Sequence, residues 1–391
     1  CVQSLLNTEI GIRLSNDMAL GETDFELMGM SGNNVKILLD GIPLIDRGAT
    51  KQSLSQLDVN SIERVEIVEG PMSVVYGTDA LAGVINIITK KGDGYSEENT
   101  WRVGARVQEE SMGKEYDFFK DKGLHNESID LGFNHKSGLF VNGGYTRNNH
   151  GGWQGDLTGR EKRWHPKDQA LMNGMFGFQN RNMNVWYRLD FLDEKIFGPN
   201  NGSELQPEKV SDKDFLTKRY THQLQSDWKL DNRLDVHAAL SYQDYKRRTR
   251  TTESDLSTGE KWLSSAEASQ DITQYKAWIA RATVAWNIAP EFSVQPGVEY
   301  QWTQGEGGRI DGTPKVSDLA FFLSAEYKPW EWLSLRPGVR TFIVADYDAP
   351  IAIPSVLTKF KLTKHMDLRL SYAYGFRSPT LQELYFSFHN D

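Results

Sequence analysis

Two stretches of this chain hold residue types whose spacing could do chemistry. Tyr76-Gly-Thr-Asp-Ala-Leu-Ala-Gly83 has the glycines of a loop that could cradle a phosphate, but the Lys-Ser/Thr pair that would meet the phosphate oxygens does not follow it. Tight turns in a compact unit explain those glycines more simply. In the second stretch, Trp153, Arg160, Arg163, Trp164 and His165 combine aromatic faces with cations. That combination suits an anionic, planar ligand, and it also suits anchoring at a membrane interface. The sequence contains neither a Gly-x-Ser-x-Gly elbow nor a His-Glu-x-x-His pair. A Ser-His-Asp set could be drawn on paper from 8 histidines and many hydroxyls, but no spacing marks one. The chain therefore reads as a non-enzyme without a cofactor or metal of its own.

Composition narrows the class further. The 391 residues carry a net charge of -9 and no Lys/Arg block, so a phosphate-tracking nucleic-acid surface is not expected. Arg247, Arg248 and Arg250 form the densest basic cluster and read as a solvated loop edge. The single cysteine, Cys1, cannot form an internal disulfide, and a lipid-modified terminus is the less expected reading of it. With no signal peptide to read, the expectation is a piece of a longer protein. No run of 18 apolar residues exists, since Tyr76, Gly77, Asp79 and Asn86 break the most apolar stretch, Val74 to Ile88. A membrane-crossing helix is excluded, whereas a barrel of alternating strands is not.

The elements that must position these residues fall into two textures. Residues 1–93 read as a small α+β domain with β-prone runs at Phe25–Met28, Val35–Leu39, Val65–Val68 and Val84–Thr89. One or two helical turns are expected over Ser53–Ile62, with Leu54 and Leu57 inward, and Gly92-Asp93-Gly94 closes the zone.

Residues 94–391 read as about thirteen alternating strands. Val185, Tyr187, Leu189 and Phe191 share one face while Trp186, Arg188 and Asp190 share the other. Trp278, Ala280, Ala282, Val284 and Trp286 likewise oppose Arg281 and Thr283. A soluble antiparallel sandwich shares that pattern, so two further features decide. Short turns near 180–182, 231–232, 289–291, 329–331 and 363–365 alternate with long connections near 108–126, 148–170, 192–217, 246–272 and 303–317. Trp228, Trp286, Trp302, Trp330, Trp332, Tyr242, Tyr300 and Tyr327 sit at strand ends. Both features predict an antiparallel membrane β-barrel with two aromatic girdles.

Val35-Lys-Ile-Leu-Leu-Asp-Gly-Ile-Pro-Leu44, Ile62-Glu-Arg-Val-Glu-Ile-Val-Glu-Gly-Pro71 and Tyr76-Gly-Thr-Asp-Ala-Leu-Ala-Gly-Val-Ile-Asn-Ile-Ile-Thr-Lys90 closely resemble the plug domain of TonB-dependent outer-membrane receptors. Phe376-Arg-Ser-Pro-Thr-Leu-Gln-Glu-Leu-Tyr-Phe386 resembles a segment these receptors carry after a mid-barrel strand. The resemblance implies a 22-stranded barrel in the complete protein, filled by the plug and placed in the outer membrane of a Gram-negative bacterium. It implies a small nutrient ligand (ferric siderophore, haem or cobalamin) and TonB as energy-transducing partner. Thirteen strands fall short of 22, and the early plug with its TonB-contacting box is not represented. Met28 stands where such plugs often carry an Arg before Gly29, which would remove an expected plug-to-barrel ion pair.

The resemblance also places ligand-facing plug turns at Asn16–Glu22 and Leu44–Lys51, which hold Asp17, Met18, Asp46, Arg47 and Lys51. It makes His389 a candidate haem ligand through its imidazole. Ferric siderophores, whose own oxygens satisfy the metal, would need only aromatic and arginine contacts.

Overall fold

The computed structural model describes residues 6, 9, 11–17, 22–27, 29–31, 34–45, 54–70, 73–78, 80–92, 98–307 and 310–386. Its amino-terminal part holds two small sheets. β1 (Ile12–Asp17), β2 (Glu22–Leu27) and β3 (Met30–Ser31) are antiparallel. β4 (Val35–Leu39), β5 (Ile42–Pro43), β6 (Ile62–Glu69) and β7 (Gly83–Thr89) pair in the order β5-β4-β7-β6, with β4 parallel to β7.

β4 is buried at every residue, as befits an apolar strand covered on both faces. Its one cation, Lys36, is tolerated because its Nζ donates to the Thr78 carbonyl at 3.1 Å. Asp40 (φ 51°) and Gly41 (φ 81°) supply the two left-handed residues that a two-residue hairpin between β4 and β5 requires. The helical turns expected over Ser53–Ile62 are two 3-10 turns, Leu54–Gln56 and Val59–Ser61, the second capped by the Asp58 carboxylate. Leu54 and Leu57 join Leu27, Val35, Ile37, Leu39, Ile85 and Ile87 in the core. A one-turn helix, α1 (Ser73–Tyr76), precedes β7.

Among the described residues, thirteen antiparallel strands then follow one another as a single wall. They are β8 (Thr100–Glu110), β9 (Leu124–Asn134), β10 (Leu139–His150), β11 (Lys167–Gln179), β12 (Met183–Gly198), β13 (Lys209–Lys229) and β14 (Leu234–Asp255). After a short hairpin arm, β15 (Lys261–Leu263), come β16 (Ile272–Ala289), β17 (Phe292–Glu306), β18 (Lys315–Trp330), β19 (Leu333–Val344), β20 (Ile353–Thr363) and β21 (Met366–Ala373), and then a helix, α2 (Leu381–Tyr385). The strand count agrees with the alternation in the sequence. The long connections are shorter than expected: 192–217 contains only the loop 199–208, because β12 and β13 run on beyond the apolar band.

The two faces follow the period of two. Trp186 and Arg188 turn inward with 1% and 2% exposure, while Phe176, Leu224, Leu240, Phe321 and Ile343 are exposed on the outside. Trp228, Trp286, Tyr327, Trp330 and Trp332 lie on the short-turn rim. Phe191, Tyr220, Tyr242, Trp278 and Tyr300 form the second belt through adjacent pairing, with Phe191 opposite Tyr220 and Tyr242 opposite Trp278. From Trp278 to Trp286 a strand tilted by about 40° rises roughly 20 Å, close to the apolar band of an outer-membrane barrel.

Ala282 stands midway between the belts, opposite Ala238 and Val298. Ala282→Arg is therefore expected to cost ~2–4 kcal/mol in denaturant titration of lipid-reconstituted protein, and Ala280→Arg, nearer the headgroups, clearly less. Equal costs would overturn this depth assignment. The lumen-side counterpart Thr283 is only 7% exposed, so the tolerance its polar face suggests is lost to packing.

Candidate functional site

The plug meets the wall through directional polar contacts at several depths. The Asp40 carboxylate accepts from the Thr89 amide (3.0 Å), the Thr89 hydroxyl (2.7 Å) and Lys91 (3.2 Å), and Gln225 of β13 donates to the Asp40 carbonyl at 2.8 Å. Asp58 is the acceptor of a second group, receiving the Thr146 hydroxyl at 3.0 Å and Asn173 Nδ2 at 3.2 Å. Burial pushes the Asp58 carboxyl up, against hydrogen bonds from Asn60 and Thr146 that favour its anion.

A buried ion cluster lies beside α1. Glu299 of β17 accepts from Arg340 NH2 at 2.6 Å and from Arg281 NH1 at 2.9 Å, while Arg281 NH2 reaches across to the Val75 carbonyl at 2.6 Å. Both guanidiniums also lie against the Phe322 ring, at 4.9 and 5.4 Å. Gly77 (φ 86°) fits against this cluster: a Cβ there would come within 3.1–3.2 Å of Lys36, Arg340 and Glu299. The expected ion pair from an arginine at the Met28 position falls outside the described residues. The latch seen here has its charges mainly on the wall, and the plug offers Lys36 and backbone carbonyls.

Toward the long-loop rim, the described plug residues on either side of 46–53 are both fastened. Ile45 donates its amide to Gln243 Oε1 (2.9 Å), and Gln243 Nε2 returns a bond to the Pro43 carbonyl (2.7 Å). Ile45 packs against the buried cluster of Tyr245, Tyr275, Ile310 and Leu381, as does Tyr385. Across the lumen, Gln56 and Gln169 both donate to Glu194, and Arg219 donates to the Gln56 carbonyl at 3.0 Å. Arg247, on the inner face of β14, stacks over Phe215 at 4.7 Å. The result is a polar and aromatic mouth beneath the long loops.

The segment after β21 folds inward onto the plug. Ser378 Oγ lies 3.0 Å from Thr78 Oγ1, and the Asp311 amide donates to the Tyr385 carbonyl at 3.2 Å. Thr380 and Glu383 form a capping box on α2, and Arg377 grips Glu383 with two bonds of 2.9 Å. That grip holds the Glu383 carboxyl below its usual range. A depressed carboxylate stabilises α2 above the unfolded value near 4.5 and loses that contribution as pH falls through the folded value. Protection factors for amide exchange at 381–385, taken relative to the intrinsic rate at each pH, are therefore expected to fall between about pH 5 and pH 3, and Glu383→Gln should remove that fall.

Of the residues singled out in the sequence, Asp17 ends β1, which shortens the expected turn at Asn16–Glu22. Met18, Asp46, Arg47, Lys51 and His389 lie outside the described residues. The loop between β10 and β11 brings its candidates together, because Trp153 and Trp164 exchange backbone hydrogen bonds of 2.8 and 2.9 Å. The Trp164 ring lies against His150, centroids 4.2 Å apart and tilted by 37°, and His165 lies beside Gly198. Arg160 is engaged by Asp212 through bonds of 2.9 and 2.6 Å and ties this loop to the next; Arg163 pairs with Asp156 on the surface. Sequence reasoning missed Gln243, Arg247 and Phe215. Their lumen-facing parity was readable, but their height relative to the plug was not.

A plug seated in an antiparallel barrel wall defines an outer-membrane receptor of the plugged type. Residues 2–84 match the TonB-dependent receptor plug domain and residues 297–391 the TonB-dependent receptor-like β-barrel, so the two ends of the chain match the two domains of that family. Its place is the outer membrane of a Gram-negative bacterium. The ferrienterobactin receptor of Escherichia coli is 33% identical over 107 residues, 24% of this chain and 14% of that protein. An iron-regulated outer membrane virulence protein of Vibrio cholerae is 40% identical over 80 residues, 18% of this chain and 12% of that protein.

Among solved structures, a mutant of the ferric enterobactin receptor of Pseudomonas aeruginosa superposes with TM-score 0.72 at 16% identity, covering 97% of this chain and 60% of its own. The FrpB iron transporter of Neisseria meningitidis also gives 0.72, at 14% identity, over 97% of this chain and 63% of its own. This chain thus spans about three fifths of the solved structures it matches.

Proposed function

We propose that this chain is the plug and part of the barrel of a TonB-dependent importer of ferric siderophores. The division of labour is the one expected from sequence, residues 1–93 as plug and 94–391 as barrel. The supporting observation is that the plug residues on both sides of 46–53, Pro43 and Ile45 before it and Gln56 after it, are hydrogen-bonded to wall residues beneath the long-loop rim. A ligand resting on the turn that the resemblance implies at Leu44–Lys51 bears directly on the plug–wall seam, so its binding energy can bias the plug toward the form that engages TonB.

Asp17, Met18, Asp46, Arg47 and Lys51 from the plug, with Trp153, Arg163, Trp164 and His165 from the loop, form the proposed contact set. Arg160 serves it indirectly by holding that loop to Asp212. The seam favours displacement because its contacts are polar groups that water can satisfy once the plug moves. The energy comes through the partner, so no nucleotide site is called for.

The test is uptake of radiolabelled ferric enterobactin by cells expressing the full-length receptor. Saturable binding with or without TonB, and uptake only with TonB, is expected. Absence of saturable binding would remove the siderophore reading, with haemin and cyanocobalamin as rival ligands in the same assay. A haemin Soret shift abolished by His389→Ala would install haem instead.

A further inference from the structure

The loop between β10 and β11, residues 151–166, is built on one buried histidine. His150 closes β10, past the ladder row that joins Tyr145 and Met172 to Phe191 of the second belt, and is 4% exposed. It shares the inward parity of Phe140 and Thr146. Its Nδ1 accepts the Gly152 amide at 2.8 Å, so that nitrogen carries no proton and the ring's single proton sits on Nε2. Nε2 is buried and meets no acceptor among the described residues. The Trp164 ring covers the imidazole. At Gly152 (φ 79°) the chain packs so closely that a Cβ would come within 2.8 Å of Pro166 and 2.9 Å of Lys162. The Gly151 amide donates to the Gly123 carbonyl at 3.0 Å, which ties the start of the loop to the one before it.

The charge nearest the ring is positive. Lys167 stands directly opposite His150 in the β10–β11 ladder, and Lys162 acts on it from the loop. From the other side β9 offers Leu124, and the β8–β9 loop offers the backbone of Asp121 and Lys122. The carboxylate on this part of the wall, Glu194, acts on Lys167 and is already engaged by Gln56 and Gln169.

We propose that His150 is a proton-sensitive fastening for this loop: the neutral ring holds residues 151–166 down, and its protonation releases them. A proton on Nδ1 removes the acceptor of the Gly152 amide and sets two N–H donors face to face. It also creates a cation beside Lys167 and Lys162 where the ring is shielded from water. Those costs vanish once the loop lifts and the ring is solvated, so acid favours the lifted form. Burial and then the Lys167 charge lower the His150 pKa to about 4, with a smaller push from Lys162 and an opposing bond to the residue's own carbonyl. In the lifted loop the ring returns toward 6.5. A base whose pKa is depressed in the closed form takes up its proton in the open one, so the loop is held in full above about pH 6.5. The hold then weakens by up to about tenfold per pH unit and levels off near pH 4, roughly 300-fold lower in all. Only the consequence for ligand capture rests on the siderophore reading, since Trp153, Arg163, Trp164 and His165 ride on this loop.

Hydrogen exchange of the ligand-free, full-length receptor in detergent tests this, read by mass spectrometry on peptides covering 151–166 and corrected for the intrinsic rate at each pH. Protection in the parent is expected to fall by several-fold to about tenfold per unit below about pH 6.5, while 139–149 of β10 stays protected. His150→Asn places Oδ1 where Gly152 can still donate to it and does not titrate, so its loop should stay protected across the same range. Lys167→Met removes the nearest charge and should raise the acid end of the window; it serves where His150→Asn does not fold. A flat profile in the parent, an equal fall in His150→Asn, or an unshifted acid end in Lys167→Met would overturn the proposal. Ferric enterobactin is absent throughout, so this experiment and the uptake assay fail independently.

Discussion

Glu299→Ala is expected to destabilise the receptor by about 3–5 kcal/mol, because it strands two arginine charges inside the barrel. Arg340 is 1% exposed as a side chain and Arg281 10%, and Glu299 at 4% is the carboxylate that both of them hold. Removing one partner of such a cluster costs far more than replacing the whole cluster by apolar residues of similar size. The triple replacement Glu299→Leu/Arg281→Met/Arg340→Met should therefore recover most of the loss in guanidinium unfolding of refolded protein. The single change should also loosen α1, since Arg281 is the donor to the Val75 carbonyl. A loss below about 1 kcal/mol would show that water already reaches these arginines.

The second large effect is expected at Asp40, whose carboxylate is the acceptor for both donors of Thr89 and for Lys91. With the side chain 1% exposed, Asp40→Ala leaves a buried amide and hydroxyl without that acceptor, at about 1–3 kcal/mol for each. Alanine also accepts the left-handed φ of 51° less readily than aspartate. Asp40→Asn keeps that conformation and one carbonyl oxygen, so it should lose clearly less. The readout is protease resistance of the 62–89 segment in the folded receptor; equal resistance in parent and alanine variant would count against this anchor.

Much of the wall was legible because each membrane-crossing strand has one lipid-facing side. Trp278, Ala280, Ala282, Val284 and Trp286 announce a strand and its outer face together. Beyond the belts both sides meet water, so the upper parts of β13 and β14 carry no such signal, and residues 209–217 and 246–255 read as loop. In the plug, β4 and β7 were visible as short, mainly apolar β-prone runs, each broken by one polar residue (Lys36 and Asn86), whereas β1 was missed because Ile12-Arg-Leu-Ser-Asn-Asp17 is short and mixed. The candidate site was legible as residue types and not as distances. Nothing in Arg160 points to Asp212, fifty-two residues on. Nor does the sequence of Arg281, Glu299 and Arg340 disclose that three strands bring them to one depth.

The parallel pairing of β4 with β7 gives the plug a mechanical grain. A tension applied ahead of Ile12 and resisted at the wall beyond Thr89 loads β4 at its first residue and β7 at its last. In a parallel pair these are opposite ends, so the ladder from Val35–Gly83 to Leu39–Ile87 is sheared and its bonds share the load. The β1–β2 hairpin is loaded at Ile12 and Leu27, which are opposite each other at one end of their ladder, so it opens one pair at a time like a zip. The same tension would strip the outer hairpin at low force and stall at the central sheet. The plug would then yield in stages, the outer hairpin before the central sheet.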